Sequence, residues 1–216
     1  MNLDRLMHTM KAVKRLRGRF ESWGVETVEE HFRRLRSLRL PGLPLVVREH
    51  DPEWADLFAR EKERLLEELG DSALDIQHFG STSIPPLPSK DIIDFYVAVE
   101  GRMVTPAQEE AFAKLGYENY GNSPVDPLAV WFWRITERCA YAVHVCERGR
   151  PWMSTVVNFR DYLRVHPEER ERYAEAKQRL AAEEGQDFLG YSVGKLALIG
   201  EVNEKAEAWI SAGRLA

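Results

Sequence analysis

The distance between two strand-like segments constrains the fold of this chain more than any other feature. Residues 74–79 and 92–99 both have the composition of β-strands, and the second is so apolar that we expect it near the centre of a sheet. The segment 80–91 between them is rich in hydroxyl side chains and prolines, and it is too short for a helical crossover. We therefore predict that the two strands are antiparallel neighbours.

The rest of the chain adds further strands and then helices. A short strand is predicted at 45–47, followed by a helix that begins near Asp51-Pro52 and ends at Gly70. A second helix is expected near 106–115, before strands at 117–120, 129–135 and 140–146. Apolar residues then recur at helical spacing over 153–165, 167–184 and 188–210. This order predicts an α/β (α+β) fold, a mixed β-sheet flanked by helices that differs from a Rossmann fold.

Residues 1–42 differ in character from residues 43–216, which we take as the main domain. The N-terminal segment has apolar residues at helical spacing but is too short to bury a core of its own. Residues 1–50 contain eleven Lys and Arg against six Asp and Glu, whereas the whole chain has a net charge of −5. We predict a helical N-terminal extension that covers the acidic body or builds a homo-oligomer, through Leu3, Leu6, Met10 and Leu16.

The composition excludes several classes of protein. With 44% hydrophobic and 30% charged residues, the chain has the make-up of an ordinary globular protein. The acidic net charge gives no reason to expect nucleic acid as a partner. No apolar run approaches the length of a membrane span, and the N-terminus lacks the apolar core of a secretory signal. We therefore expect a cytoplasmic protein without a membrane partner.

Two groups of residues that often mark functional sites are interpreted here as core. Cys139 and Cys146 lie in strand-like segments and have no further cysteines with which to build a metal site, so we expect them to pack as small apolar side chains. Trp131, Phe132 and Trp133 place aromatic rings on both faces of one strand. Packing is favoured over a base-stacking platform, because only one basic residue is adjacent.

A glycine and three hydroxyl side chains follow the first strand directly, at Gly80, Ser81, Thr82 and Ser83. Glycine lets backbone amides approach an anion closely, and hydroxyls can donate hydrogen bonds to phosphate oxygens. Lys90 precedes the next strand and Asp94 interrupts its apolar run, as a site for phosphate and magnesium would require. The spacing leaves an alternative open, in which the loop is a simple turn and Asp94 pairs with an arginine.

A few more side chains are candidates for the same site. His144 lies in an apolar strand, where a core role and a site role are equally supported. Arg160 could clamp a phosphate or pair with its neighbour Asp161. Lys195 lies four residues after Tyr191 on one helix face, within reach of a cleft. We interpret Lys177 as a solvated surface charge.

Several motifs resemble those of the GrpB-like family. Residues 78–85 are similar to its His-Ile-Gly-Ser-Thr-Ala-Val-Pro segment, and residues 90–94 to its Lys-Pro-Ile-Ile-Asp segment. Asp51-Pro52-Glu53-Trp54 matches its Asp-Pro-x-Trp, and residues 143–145 resemble its Leu-His-Val. Residues 158–168 are close to its Phe-Arg-Asp-Tyr-Leu-Arg-x-His-Pro-Glu. The resemblance continues through Tyr173, Lys177, Tyr191 and Lys195 and covers residues 45–212 in order.

This resemblance implies a nucleotidyltransferase-like fold and a corresponding activity, the magnesium-dependent transfer of a nucleotidyl group from an NTP to a small acceptor. By this comparison Gly80 and Ser81 hold phosphates and Asp94 is the first metal ligand. His144 and Arg160 would assist catalysis. The remaining nucleotide contacts would come from Thr82, Ser83, Lys90 and Lys195.

The carboxylate set that the resemblance implies is incomplete in this sequence. A second carboxylate usually follows the first by two residues, and that position is Tyr96; the nearest match to the third is His144. Asp91 lies three residues before Asp94, which points it to the opposite face of a strand. Two-metal transfer chemistry uses several anionic ligands. The alternative function is therefore a non-catalytic module that binds a nucleotide or phosphometabolite and regulates or stabilises a partner enzyme.

Overall fold

Five strands form one mixed sheet within the residues that the computed structural model describes, which are 42–123, 126, 128–183 and 188–213. The strands are β1 (Asp75–Phe79), β2 (Ile92–Val99), β3 (Glu118–Asn122), β4 (Val130–Ile135) and β5 (Ala140–Glu147), in the spatial order β1-β2-β5-β4-β3. β1 and β2 are antiparallel, with Phe79 opposite Asp94, and β2 and β5 are parallel. The predicted mixed sheet and the predicted antiparallel pair are both confirmed.

Six helices accompany the sheet in the described residues. They are α1 (Glu53–Leu69), α2 (Pro106–Lys114), α3 (Pro151–Val165), α4 (Pro167–Ala182), α5 (Phe188–Gly194) and α6 (Leu196–Ser211). Local chemistry fixes several of their ends. Thr105 caps α2 by accepting a hydrogen bond from Gln108, whose side chain in turn accepts one from the Thr105 backbone. α3 and α4 both begin with proline, which tolerates the first helical turn because it needs no backbone donor there.

The strand predicted at 45–47 is wrong. The chain makes only an isolated antiparallel bridge, in which Arg48 and Ser89 exchange two backbone hydrogen bonds of 2.8 Å. The partner segment explains the difference. Pro85, Pro86 and Pro88 precede Ser89 and have no backbone N–H, so they cannot continue a ladder of hydrogen bonds.

The single helix predicted at 188–210 is also wrong, because the structure divides it. α5 ends at Gly194 and α6 begins at Leu196, so Lys195 lies at the junction. Gly194 packs directly against Leu180 of α4; a β-carbon at Gly194 would approach the Leu180 side chain to 2.7 Å. Glycine also costs helix stability through its backbone entropy. Contact with a neighbouring helix therefore overrides the helical spacing at this point.

The two faces of the sheet bury different clusters. On one face, alternate residues of β2 and β5 pack against α1 and α2, with Phe95, Val143, Trp54 and Phe112 nearly inaccessible to solvent. The opposite face presents Asp94 and Tyr96 and packs against α3 through Trp152. Cys139 and Cys146 are buried free thiols, as the sequence indicated. Trp131, Phe132 and Trp133 are buried too, which confirms their interpretation as core.

The predicted N-terminal extension lies outside the described residues, and so does any homo-oligomer contact made by its helices. The described chain begins at Gly42, and Leu43 packs beside the cluster that contains Trp131 and Trp133. Among the helices of the described residues, none combines the length and the apolar character that a membrane crossing requires.

Candidate functional site

The loop after β1 brings its backbone into contact with Asp94. Gly80 has φ 70° and ψ −177°, a conformation that other residues rarely adopt. A β-carbon at this position would lie 2.8 Å from Oδ2 of Asp94. The antiparallel register explains this closeness, because Phe79 pairs with Asp94 and Gly80 is the next residue. The predicted phosphate loop and the predicted carboxylate are thus adjacent.

Two of the three loop hydroxyls are bonded to backbone carbonyl oxygens of the loop or of the start of β2. Thr82 and Ser83 are buried; Thr82 Oγ1 donates to the carbonyl oxygen of Ile92 (3.0 Å), and Ser83 Oγ donates to that of Gly80 (2.7 Å). Ser81 is partly exposed and shares a hydrogen bond with the phenol of the buried Tyr173. Of the hydroxyls that the sequence indicated for phosphate binding, Ser81 is therefore the one placed at the solvent-facing side of the loop.

Two arginines of α3 donate hydrogen bonds to backbone carbonyl oxygens at the loop and at the end of β1. The guanidinium of Arg164 donates to the carbonyl oxygen of Ser83 through Nε (2.9 Å) and Nη2 (2.6 Å). Arg160 donates to the carbonyl oxygen of His78 (2.8 Å) and to the carboxylate of Asp161 (2.8 Å). These bonds satisfy carbonyl oxygens at the end of β1 and in the loop that follows it. In this structure Arg160, a candidate catalytic residue from the sequence, contacts the end of β1 that leads into the loop.

Three lysines surround Asp94. Lys90 precedes β2, Lys177 comes from α4 and Lys195 lies between α5 and α6, and the charge of each acts on the Asp94 carboxylate. Lys90, Asp94 and Lys195 are partly exposed, whereas Lys177 is 1% exposed. The interpretation of Lys177 as a surface charge is wrong. Its ammonium donates to the carbonyl oxygen of Pro88, because α4 packs against the loop with that face.

Two tyrosines complete the cluster, which we call the lysine site: Ser81, Lys90, Asp94, Tyr173, Lys177, Tyr191 and Lys195. The ammonium groups of Lys90 and Lys195 lie 5.0 and 4.4 Å from the centroid of the Tyr191 ring, and that of Lys177 lies 5.6 Å from the Tyr173 ring. An aromatic face attracts a cation at these distances. The ring of Tyr191 therefore holds the ammonium groups of Lys90 and Lys195 close to one another despite their mutual repulsion.

Burial dominates the electrostatics of the lysine site. Desolvation lowers the pKa of Lys195 to about 8 and holds the pKa of Lys177 well below its usual range. It lowers the pKa of Lys90 as well, with a further contribution from Lys195. Desolvation also raises the pKa of Asp94, and the three lysines oppose that shift. Groups shifted in this way are a frequent mark of functional sites.

Lys177 and Tyr173 are the site residues that reasoning from residue types missed. They lie four residues apart on α4 and therefore share one helix face. The phenol of Tyr173 is buried on this face, so a lysine one turn later is also directed inward. This spacing was the available signal, although a lysine four residues after a tyrosine is also common on solvated helices.

His144 shares the sheet face of Asp94 but belongs to an aromatic core. Its Nδ1 lies 2.7 Å from Oγ of Ser123, and its ring packs against Phe79, Trp131 and Trp152 at centroid distances of 5.3 to 5.9 Å. It is 3% exposed, and burial lowers its pKa to about 3. These contacts describe a neutral core histidine.

Tyr96, at the expected second carboxylate position, and the nearby Asp91 both have other hydrogen-bond partners. Tyr96 donates from its phenol to Oδ2 of Asp75 (2.9 Å), four residues from the loop end of β1. Asp91 faces the other way, where it accepts from the Trp54 indole (3.2 Å) and pairs with Arg48 (3.2 Å). Neither carboxylate joins Asp94.

The donor set does not fit a resident magnesium ion. Magnesium takes hard oxygen ligands, and the lysine site provides one carboxylate among three ammonium groups. Across the described ranges, no three His, Cys, Asp or Glu side chains gather in an arrangement that could hold a metal ion. The chemistry that these residues support directly is the binding of an anion by lysine ammonium groups and a serine hydroxyl.

The buried histidines make the stability of the protein sensitive to acid. Burial, with Arg164 and Arg160 nearby, lowers the pKa of His78 to about 3, as burial alone does for His144. An unfolded histidine takes up a proton near pH 6.5, so the stability is fully present above that pH and is lost as the pH falls toward 3. We expect about 1.4 kcal/mol per pH unit for each histidine in this window.

Urea unfolding between pH 7.5 and 5 measures this loss. His78→Gln can keep the bond to Thr82, whose single proton goes to Ile92, and His144→Asn can keep the bond to Ser123. Each variant should lose stability less steeply with falling pH than the wild type. Equal slopes would show that the histidines do not cause the effect.

Comparisons with known proteins show which family the chain is similar to. The family model described as GrpB protein matches residues 44–205. The chain is 33% identical over 160 residues to UPF0157 protein YqkA of Bacillus subtilis, covering 74% of this chain and 46% of that protein. It is also 28% identical over 151 residues to dephospho-CoA kinase of Mycobacterium bovis, covering 59% of this chain and 37% of the kinase. The matched region is thus less than half the length of either relative.

A solved structure extends the likeness to the fold. The crystal structure of conserved protein GrpB from Enterococcus faecalis superimposes with a TM-score of 0.68 at 28% sequence identity, and the alignment covers 76% of this chain and 99% of that one. The resemblance inferred from the loop and helix motifs is confirmed by these matches. This chain belongs to the GrpB family.

Proposed function

We propose that this chain binds a nucleotide through its phosphates at the lysine site. One observation carries the proposal: three lysines converge on a partly exposed loop next to a glycine and a serine, and one of these lysines is buried. A buried ammonium is costly, and lysine is rarely buried without a partner. A phosphate chain would add negative charge next to these ammonium groups.

The residues of the lysine site have different roles in the proposed binding of phosphate. Lys195 and Lys90 are the partly exposed lysines of the site, and Ser81, which is also partly exposed, has a hydroxyl that can donate to a phosphate oxygen. Lys177 lies beneath them and adds charge from a fixed position, held by the carbonyl of Pro88. Arg164 and Arg160 bond carbonyl oxygens of the loop and of the end of β1, respectively.

Isothermal titration with ATP, UTP and inorganic tripolyphosphate tests the proposal. We expect Lys195→Gln to weaken binding at least about tenfold, which is the effect of losing about 1.4 kcal/mol of interaction. Lys205→Gln is the matched control, since Lys205 lies on α6 but is exposed and pairs with Glu169. Binding that is unaffected by Lys195→Gln, or equally weakened by Lys205→Gln, would place the ligand elsewhere.

Transfer of a nucleotidyl group to a small acceptor is the second candidate function. The contact between Gly80 and Asp94 favours it, because a carboxylate lies next to the loop that would hold the phosphates. The single carboxylate is the reason to rank it second, since two-metal transfer uses several anionic ligands. Release of pyrophosphate from an NTP, in the presence of a cell extract as a source of acceptors and dependent on Asp94, would reverse the ranking.

Binding without transfer would suit a protein that regulates or stabilises a partner enzyme. The similarity to a region of dephospho-CoA kinase is the observation that favours such a partner. Under this proposal, the fraction of the chain with bound nucleotide would follow the nucleotide concentration. Nucleotide binding would in turn control association with the partner enzyme.

A further inference from the structure

Two tryptophans of β4 lie on the same face of the sheet as Asp94. The register pairs Asp94 with Ala142 and Ala142 with Trp133, and paired residues share a face. These side chains belong to a buried cluster, which we call the tryptophan face: Ile92, Trp131, Trp133, Ala140 and Ala142. The apolar residues described around it are Tyr120 of β3 and Leu43, whereas the neighbouring cluster on this side of the sheet packs against α3.

The tryptophan face is nevertheless closed to solvent. Trp131 and Trp133 are 4% and 2% exposed, and neither indole N–H has a hydrogen-bond partner within the described residues. The apolar face of a sheet is stable when a further layer of structure packs on it. Buried N–H groups in folded proteins are nearly always paired. A segment that covers these rings would supply both the layer and the acceptors.

Leu43 connects the tryptophan face to residues 1–41, which lie outside the described residues. Leu40-Pro41-Gly42-Leu43 has proline and glycine at the two central positions of a type II turn, and Gly42 has the positive φ of 63° that such a turn needs. A turn here directs the preceding residues back toward Leu43. Because an extended chain spans at most about 3.6 Å per residue, Leu38 lies within about 18 Å of Leu43.

The residues before this turn have the pattern that such a contact requires. Val28, Phe32 and Leu35 recur at helical spacing, which predicts a helix with one apolar face. Charge favours the same arrangement. Residues 1–41 contain ten Lys and Arg against five Asp and Glu, whereas residues 42–216 contain twenty against thirty. Opposite net charges on the two parts attract one another.

We propose that residues 28–38 pack against the tryptophan face of the same chain, with Leu35 at the centre of the contact. The short connection favours this segment over a second copy of the chain, because it holds the segment at an effective concentration of about a millimolar. The contact borders the lysine site, since Ala142 pairs with Asp94. It does not depend on nucleotide binding.

Hydrogen exchange of the tryptophan indole N–H groups, followed by nitrogen-15 NMR on the full chain, tests the contact. Leu35→Asp would bury a charge, so we expect exchange at Trp131 and Trp133 to become at least about tenfold faster. Ser37→Asp is the matched control, because it adds the same charge to the opposite side of the predicted helix. Trp54, on the other face of the sheet, should be unchanged and so shows that the protein remains folded. Unaltered exchange at Trp131 and Trp133 in Leu35→Asp would overturn the proposal.

Nuclear Overhauser contacts in the wild-type protein test the proposal without a variant. We expect contacts between the indole protons of Trp131 or Trp133 and the methyl groups of residues 28–38. A mixture of isotope-labelled and unlabelled chains separates the two possible sources of these contacts. Contacts between chains would mean that a second copy covers the face, which would overturn the proposal. Indole contacts made only with residues 42–216 would overturn it equally.

Discussion

Replacing Lys177 by Met should weaken anion binding and at the same time stabilise the folded protein. The lysine is 1% exposed, and burial holds its pKa well below the usual value. Keeping a lysine in such a place costs folding free energy, because in the unfolded chain the ammonium is fully hydrated. Methionine fills a similar volume without a charge. We expect the free energy of unfolding at pH 7 to rise by about 1–3 kcal/mol, and the affinity for tripolyphosphate to fall at least about tenfold.

The pH dependence of this gain provides a second check. A lysine whose pKa is lowered on folding destabilises the protein at neutral pH, and this cost disappears as the pH rises toward the unfolded pKa near 10.4. Urea unfolding of the two proteins should therefore converge at high pH. Lys62→Met is the matched control, since Lys62 also donates to a backbone carbonyl, that of Ile76, but is only partly buried. A Lys177→Met protein less stable than the wild type at pH 7 would contradict the prediction.

Removing Glu61 should cause a large loss of stability. Glu61 of α1 is 2% exposed and accepts from the Tyr117 phenol (2.8 Å), from Arg64 and from Arg134. The guanidinium of Arg134 also stacks over the rings of Tyr117 and Tyr141. Glu61→Ala would leave Arg134 without its counter-charge between two aromatic rings. Breaking a buried ion pair from one side costs about 3–5 kcal/mol.

Chemical denaturation of Glu61→Ala and of its neighbour Glu63→Ala measures this cost. Glu63 is exposed, so its replacement should change the stability by less than about 0.5 kcal/mol. Glu61→Gln should fall between the two, because the amide oxygen can still accept from Tyr117. A loss below about 1 kcal/mol for Glu61→Ala would mean that Arg134 finds solvent or another partner when the carboxylate is removed.

This network lies on the opposite side of the sheet from the lysine site. Glu61 and Tyr117 belong to the layer of α1 and α2, whereas Asp94 faces α3 and the helices after it. Glu61→Ala should therefore change the stability of the protein without changing its affinity for phosphate at temperatures where it remains folded. The two largest predicted effects thus have opposite signs: Glu61 stabilises the folded protein, whereas Lys177 lowers its stability.

The sequence by itself determined the local features of this protein. The short segment between β1 and β2 forces an antiparallel pair, since no helical crossover fits, and that pairing brings Gly80 against Asp94. Alternating and continuous apolar runs placed the five strands of the sheet, and proline and glycine marked several helix ends. These features depend on backbone geometry over a few residues, which a single sequence records directly.

Only the tertiary structure decided which polar residues face the site. Contact between Gly194 and Leu180 divides the last helix and leaves Lys195 at the break, and the packing of α4 on the loop turns Lys177 inward to Pro88. His144 has the same sheet face as Asp94, yet its neighbours are aromatic rings from β1, β4 and α3. The burial of a polar side chain depends on segments distant in sequence. Residue type and spacing therefore predicted the loop, while the convergence of three lysines on it came from the packing of helices.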